Sequence, residues 1–290
     1  MGRGRVGVVA LWLVGCGGVI DASKGDASND GGTPVDKEGG LLDVAVDVTP
    51  TPPTTDAGAG DAEPLGTLYF EQDTTSGGSH PGMFIALFFP DAQQANQGCT
   101  MSASGPCRTY DCPSPPPPTA SLSAGTLTIF GGPLGSNGVS VTQNASYTYG
   151  FGGALPPGAV MGVSASGGQV PPFGPEAVTM PPMITLTTPA APFAIVTGSD
   201  LTATWANGEV GATVLLEAFA NEGGKSIAVA CKFDGAAGTG TIPHSLLSQL
   251  AGVSGGMLFW GQERDVSFTA GSYPLQLSGL QFAYGQATYP

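Results

Sequence analysis

Apolar positions along the chain come in short runs, and turn-forming residues interrupt them. Thr67-Leu-Tyr-Phe-Glu-Gln, Met83-Phe-Ile-Ala-Leu-Phe-Phe, Gly125-Thr-Leu-Thr-Ile-Phe, Val139-Ser-Val-Thr and Val160-Met-Gly-Val-Ser-Ala form a first set. Phe193-Ala-Ile-Val-Thr, Leu201-Thr-Ala-Thr-Trp205, Ala212 to Phe219, Ser226 to Phe233, Gly256-Met-Leu-Phe-Trp260 and Leu275 to Phe282 form a second. β-branched and aromatic residues suit a pleated, half-buried surface, and Gly, Pro, Ser and Asn supply the turns. In Leu201, Ala203 and Trp205 the apolar residues alternate with Thr, which turns one face inward. The pattern predicts an all-β fold. One helix is expected, at 243–252. There Leu246, Leu247 and Leu250 share a stripe, Pro243 suits the first turn and Gly252 the end. GGPLGSNG (131–138) reads as a hairpin loop, and Ser114 to Pro118 as an extended connector.

The grouping of these runs predicts four segments. Residues 1–15 are a signal peptide, and 16–64 a disordered acidic linker. Residues 65–189 form a β-rich domain, and 190–290 an immunoglobulin- or fibronectin-like β-sandwich domain. About seven short strands in about 100 residues suit the last architecture. The linker, residues 17–64, holds ten acids, two lysines and no aromatic residue. Such a stretch cannot bury enough apolar area to offset its ordering entropy. As a flexible coil it would reach roughly 35–40 Å.

Composition sharpens this picture. The chain has 47 Gly and 26 Pro among 290 residues, which disfavours long helices. The net charge is −14, and only Arg108, Lys225, Lys232 and Arg264 are cationic beyond residue 64. Four scattered cations cannot neutralise a phosphate backbone, so no nucleic-acid partner is expected.

The first residues carry the strongest motif. Arg3 and Arg5 precede an apolar run from Val6 to Gly15, too short for the roughly twenty residues of a membrane span. The layout fits a secretory signal. Leu13-Val14-Gly15-Cys16 resembles the bacterial lipobox at all four positions. That resemblance implies a diacylglyceryl group on the Cys16 thiol, cleavage before Cys16 by a type II signal peptidase, and acylation of the new N-terminus. Gly17, in place of Asp, implies onward transport to the outer membrane. The expected location is therefore the cell envelope, on the periplasmic or surface face, with the lipid bilayer as partner through acylated Cys16. The body also resembles a group of uncharacterised β-rich lipoproteins of Gram-negative bacteria. Gly125-Thr-Leu-Thr-Ile, Gly167-Gly-Gln-Val-Pro-Pro-Phe, Leu201-Thr-Ala-Thr-Trp, Val229-Ala-Cys and Gly240-Thr-Ile-Pro-His-Ser-Leu-Leu carry that likeness. It implies no activity and transfers no site.

With Cys16 lipidated, four cysteines remain: Cys99, Cys107, Cys112 and Cys231. An oxidising compartment permits disulfides, and four cysteines allow three pairings. Cys99 with Cys112 is the favoured local bridge. Cys231 either pairs with Cys107 or sits mid-strand as a buried thiol. A zinc site is disfavoured, since the three clustered cysteines lack a Cys-x-x-Cys pair and a nearby histidine.

Catalytic chemistry is hard to find. Gly252-Val-Ser254-Gly-Gly256 has the G-x-S-x-G form, but a helix precedes it and a strand follows, the reverse of a nucleophile elbow. His80 and His244 are the only histidines, and neither has a nucleophile or metal-ligand spacing beside it. A calcium loop starting at Asp26 fails at its twelfth position, Lys37. No cofactor or metal is expected. Glycoside cleavage needs two converging carboxylates, and Glu71, Asp73, Asp91, Glu209, Glu217, Glu222, Glu263 and Asp265 offer no obvious pair. Trp205, Trp260, Phe282 and Tyr284 are read as core in preference to a carbohydrate-binding face. The chain is expected to be an anchored binding or structural module facing an envelope protein or glycan, not an enzyme. The rival is an anchored hydrolase of envelope or environmental polysaccharide, recognisable by paired acids near an exposed aromatic.

Overall fold

The computed structural model describes residues 64–75, 78–91, 99–113, 121–144, 146–222, 225–253 and 255–290. The expected signal peptide, Cys16, nearly all of the expected linker, the Asp26 stretch, the proline connector and Ser254 lie outside them. The described chain is all-β. Its main sheet runs β4 (Thr100–Ser104), β5 (Cys107–Pro113), β15 (Lys225–Asp234), β14 (Thr213–Glu222), β17 (Gly256–Ala270), β18 (Tyr273–Thr288), β1 (Gly66–Thr75), β3 (Met83–Phe88) and β8 (Tyr147–Gly150). Two short strands join it, β2 (Gly78–Ser79) beside β1 and β12 (Phe193–Ala194) beside β18. A second sheet runs β10 (Phe173–Thr179), β9 (Val160–Ala165), β6 (Leu127–Gly131) and β7 (Val139–Val141). A third runs β11 (Thr185–Thr188), β13 (Leu201–Ala206) and β16 (Thr239–Ile242). The main sheet takes strands from both 65–189 and 190–290, so the two stretches share it.

The long β17–β18 hairpin explains how. A two-residue turn joins its strands, with Gly271 at φ 62°, the left-handed conformation such turns require. The ladder then runs unbroken from Ala270 opposite Tyr273 to Gly256 opposite Ala287. Side chains alternate between faces with period two. On one face the turn end presents Val266, Phe268, Leu275 and Leu277, and the far end presents Leu258, Trp260 and Ala287. The second sheet packs on the turn end and the third on the far end. Two sandwich-like cores therefore lie on one face of one sheet. In the first, Phe70, Phe84, Phe88 and Tyr147 meet Leu127, Ile129, Met161 and Val163. Phe70 and Phe84 pack with ring centroids 4.9 Å apart. In the second, Val214, Leu216, Ala218 and Val229 meet Ala203, Trp205 and Ile242.

The helix appears as expected, in two short pieces. α1 (His244–Leu247) begins after Pro243, a 3-10 turn (Ser248–Leu250) follows, and Leu246, Leu247 and Leu250 are all buried in the second core. The loop at 131–138 joins β6 to β7 as an antiparallel hairpin through a 3-10 turn at Gly132–Leu134.

Between the two cores, one row across the main sheet is polar. Gln262, Gln281 and Gln72 stand side by side on β17, β18 and β1, and all three are buried. A buried amide is tolerated only when hydrogen-bonded. Gln72 accepts from the Leu155 N–H at 2.7 Å and donates to the His80 and Asp73 carbonyls. Gln281 donates to the Leu155 carbonyl. Gln262 accepts from the Glu209 N–H and donates to the Pro182 carbonyl. The row thus fastens four connecting segments, at His80, Leu155, Pro182 and Glu209. Gln72→Leu would strand the buried Leu155 N–H and two carbonyls, lowering stability by about 1–3 kcal/mol. In urea unfolding, the midpoint of this variant should fall with the slope unchanged.

Candidate functional site

The second face of the main sheet carries the chain's concentration of chemistry. In β1, Leu68, Phe70 and Gln72 point to the cores, so Tyr69, Glu71 and Asp73 point to the other side. The same alternation sends Leu215, Glu217 and Phe219 of β14, Phe259, Glu263 and Asp265 of β17, and Leu280, Phe282 and Tyr284 of β18 to that side. β14 is buried on both faces, so apart from Glu217 its centre reads as a continuous apolar run and not an alternation. Gly261 leaves space here, since a Cβ on it would lie 2.7 Å from the Phe282 Cβ.

Registers place these groups in rows. Glu217, Phe259 and Tyr284 form one, Glu263, Leu280 and Glu71 another, and Asp265, Ser278 and Tyr69 a third. Asp73 lies beside Phe282. The Phe259 and Tyr284 ring centroids are 5.5 Å apart. Glu217 and Glu263 are 0 % exposed, Glu71 5 % and Asp73 8 %. Both carboxyl oxygens of Glu217 lack a hydrogen-bond partner, as do one oxygen each of Glu71, Asp73 and Glu263.

Burial disfavours the charged form of each acid. It pushes Glu217 to about 8 on its own. Glu71 also rises to about 8, through burial first and then repulsion by Asp73. Glu263 rises to about 7 through burial and Asp265, although Lys232 donates to it at 2.7 Å and pulls the other way. For half-exposed Lys232, burial acts downward, but Glu263 and Asp265 outweigh it and the net shift is upward. Asp73 is raised by burial and partly restored by its contact with His80, 2.7 Å from the ring Nδ1. Tyr284 is raised by burial and by Asp73. Burial thus holds Glu71 and Glu217 largely protonated at neutral pH, on the face they share with the Phe259, Phe282 and Tyr284 rings.

Other candidate residues fall elsewhere. Cys99 pairs with Cys112, and Cys107 with Cys231. Cys107 and Cys231 are direct cross-strand partners, and Cys99 extends the β4–β5 register to Cys112. The thiols that zinc would need are thus in disulfides, and Cys231 is not a free buried thiol. Among the described residues, no three His, Cys, Asp or Glu side chains converge as a metal site. His244 contacts Asp200 at the exposed start of α1. Glu209 pairs with Arg264 at 2.6 Å, on the core face of the sheet. Asp91 follows β3, and Glu222 ends β14. Trp205 and Trp260 belong to the second core, where the Trp205 Nε1–H donates to the Gly235 carbonyl. Phe282 and Tyr284 are the aromatics that meet the acids. A helix precedes the stretch around 252–256 and β17 follows it, so the nucleophile-elbow order is absent. The acids Glu71, Asp73, Glu217 and Glu263 gather on this face only because β1, β14 and β17 are brought together by the sheet, a long-range pairing with no local sequence signal. Compared with known proteins, the chain matches no family model and no curated protein.

The raised carboxyls make stability pH-dependent. Glu217 has an ordinary value of 4.5 when unfolded and about 8 when folded. Its neutral form contributes fully below 4.5, and its contribution is lost as pH rises through about 8, because the unfolded chain sheds the proton first. The slope is about 1.4 kcal/mol per pH unit for such a group. Thermal unfolding followed from pH 5 to 8 should show a falling midpoint, and Glu217→Gln should flatten that fall and unfold later than the parent at pH 8.

Proposed function

We propose that this chain is an exported lipoprotein, acylated at Cys16, whose acidic linker tethers a β-rich binding or structural module to the cell envelope. One observation carries the reading. The four cysteines of the body are used up in two disulfides, which leaves Cys16 alone among the five. Structural disulfides belong to an oxidising, exported compartment. A fifth cysteine at the end of a ten-residue apolar run, in a four-position lipobox match, has a role there that needs no partner thiol. More than one acyl chain, at about 0.8 kcal/mol per buried methylene, supports stable anchoring. Gly17 favours the outer membrane as destination. The module's partner is then an envelope protein or glycan within reach of the linker. The anchored-hydrolase reading draws on the acids beside Tyr284, but polymer cleavage needs carboxyls open to the substrate, and Glu71, Asp73, Glu217 and Glu263 are all buried.

The test is acylation itself. Expressed in a Gram-negative host fed a fatty-acid analogue, the parent chain should carry label and sediment with membranes. Cys16→Ser should lose the label and leave the outer-membrane fraction. Persistence of Cys16→Ser in that fraction would overturn the reading.

A further inference from the structure

β4 is the outermost strand of the main sheet, and among the described residues it pairs with β5 alone. Exposed edges present unpaired N–H and C=O groups, and proteins usually blunt them with charge, proline or a bulge. β4 has none of these. It reads Thr-Met-Ser-Ala-Ser, and its ladder to β5 runs without a bulge from Thr100 opposite Asp111 to Ser104 opposite Cys107. Residues 100–103 are exposed, and Met101 is 40 % exposed, one of the few large apolar side chains left on the surface. The edge is also held in place. Cys99–Cys112 ties the start of β4 to β5, and Cys107–Cys231 ties β5 to β15. An edge already ordered by covalent links loses little further entropy when a strand docks on it.

We propose that β4 is a docking edge for a second copy of this chain, the two β4 strands pairing antiparallel about a two-fold axis at Ser102. A two-fold contact must be self-complementary. Centred on Ser102, it sets Thr100 against the partner's Ser104 and Met101 against the partner's Ala103, so that a long side chain meets a short one on both sides of the axis. No like charges meet across the new ladder, although each chain carries −14 overall. Two main sheets then continue into one. Five residues of edge make a small interface, below the roughly 1,200 Å² of stable complexes, so the association is weak and concentration-dependent. Confinement to one membrane would raise the effective concentration; that clause alone rests on the anchoring proposed above.

The experiment is sedimentation of the full chain carrying Cys16→Ser, in one mild detergent over a range of concentrations, so that acylation plays no part. The mass should rise toward twice that of the chain as concentration increases. Ser102→Asp and Ser102→Lys, which each set like charges face to face at the axis, should each stay at single mass. An equimolar mixture of the two should regain the doubled mass. A single mass for the parent chain at every concentration, doubling in either variant alone, or a mixture that stays at single mass would overturn the proposal.

Discussion

The period-two pleat of the β17–β18 hairpin is the constraint on which the rest of the molecule depends. The hairpin is unbroken over fifteen and sixteen residues, so the choice of face made at one end persists to the other. Val266 and Leu258 must therefore look the same way, and so must the two cores they serve. A shift of one residue in register would exchange the faces along the whole length. It would bring Glu263 and Asp265 under the covering sheets and turn Leu258 and Val266 out. The glutamine row sits at the one place where neither covering sheet supplies an apolar lid. Amides there are partnered by loop backbone, and the seam closes through hydrogen bonds.

Much of this architecture is legible along the chain, and the exceptions have physical causes. Runs with a single buried face, such as Leu201 to Trp205, announce themselves by alternation. The helix at 243–252 announces itself by its leucine stripe and its bounding Pro and Gly. β17 does not show its full length, because Gly261-Gln-Glu-Arg-Asp265 looks like a loop. Its polar groups are acceptable in a strand only because Gln262 finds loop partners, Glu263 finds Lys232 and Arg264 finds Glu209. β4 and β5 hide within a cysteine-rich stretch of small polar residues, and their strand character comes from pairing, β5 with β15 and β4 with β5. β10, with a Gly-Pro inside it, hides for a similar reason. The parallel β1–β18 pairing joins residues about two hundred positions apart, and nothing local encodes it.

The cysteines illustrate the same limit from the other side. Cys99 and Cys112 are separated by one tight hairpin, so their pairing is readable from proximity. Cys107 and Cys231 are 124 residues apart, and their pairing depends on β5 lying beside β15 in one register. Once that register is set, both bridges follow from it, since each joins residues directly opposite one another. The bridges fasten the outer end of the sheet, where β4 is exposed and has only β5 to pair with among the described residues.

The acids of the second face are not explained by folding. A buried carboxyl without a partner destabilises, and replacing a buried ionisable group by an apolar one of similar volume is often neutral or favourable. Glu217 lies among Leu215, Phe219 and Phe259, where a leucine or methionine would pack and satisfy every neighbour. The same holds less strongly for Glu71, whose row neighbours are Leu280 and Met83. The cores and the disulfides supply stability on the opposite face and at the edge, so the sheet can carry these groups without losing its order. A sheet shaped for stability alone would not place three buried glutamic acids across β1, β14 and β17, and the reason for them has to be sought in what this face does.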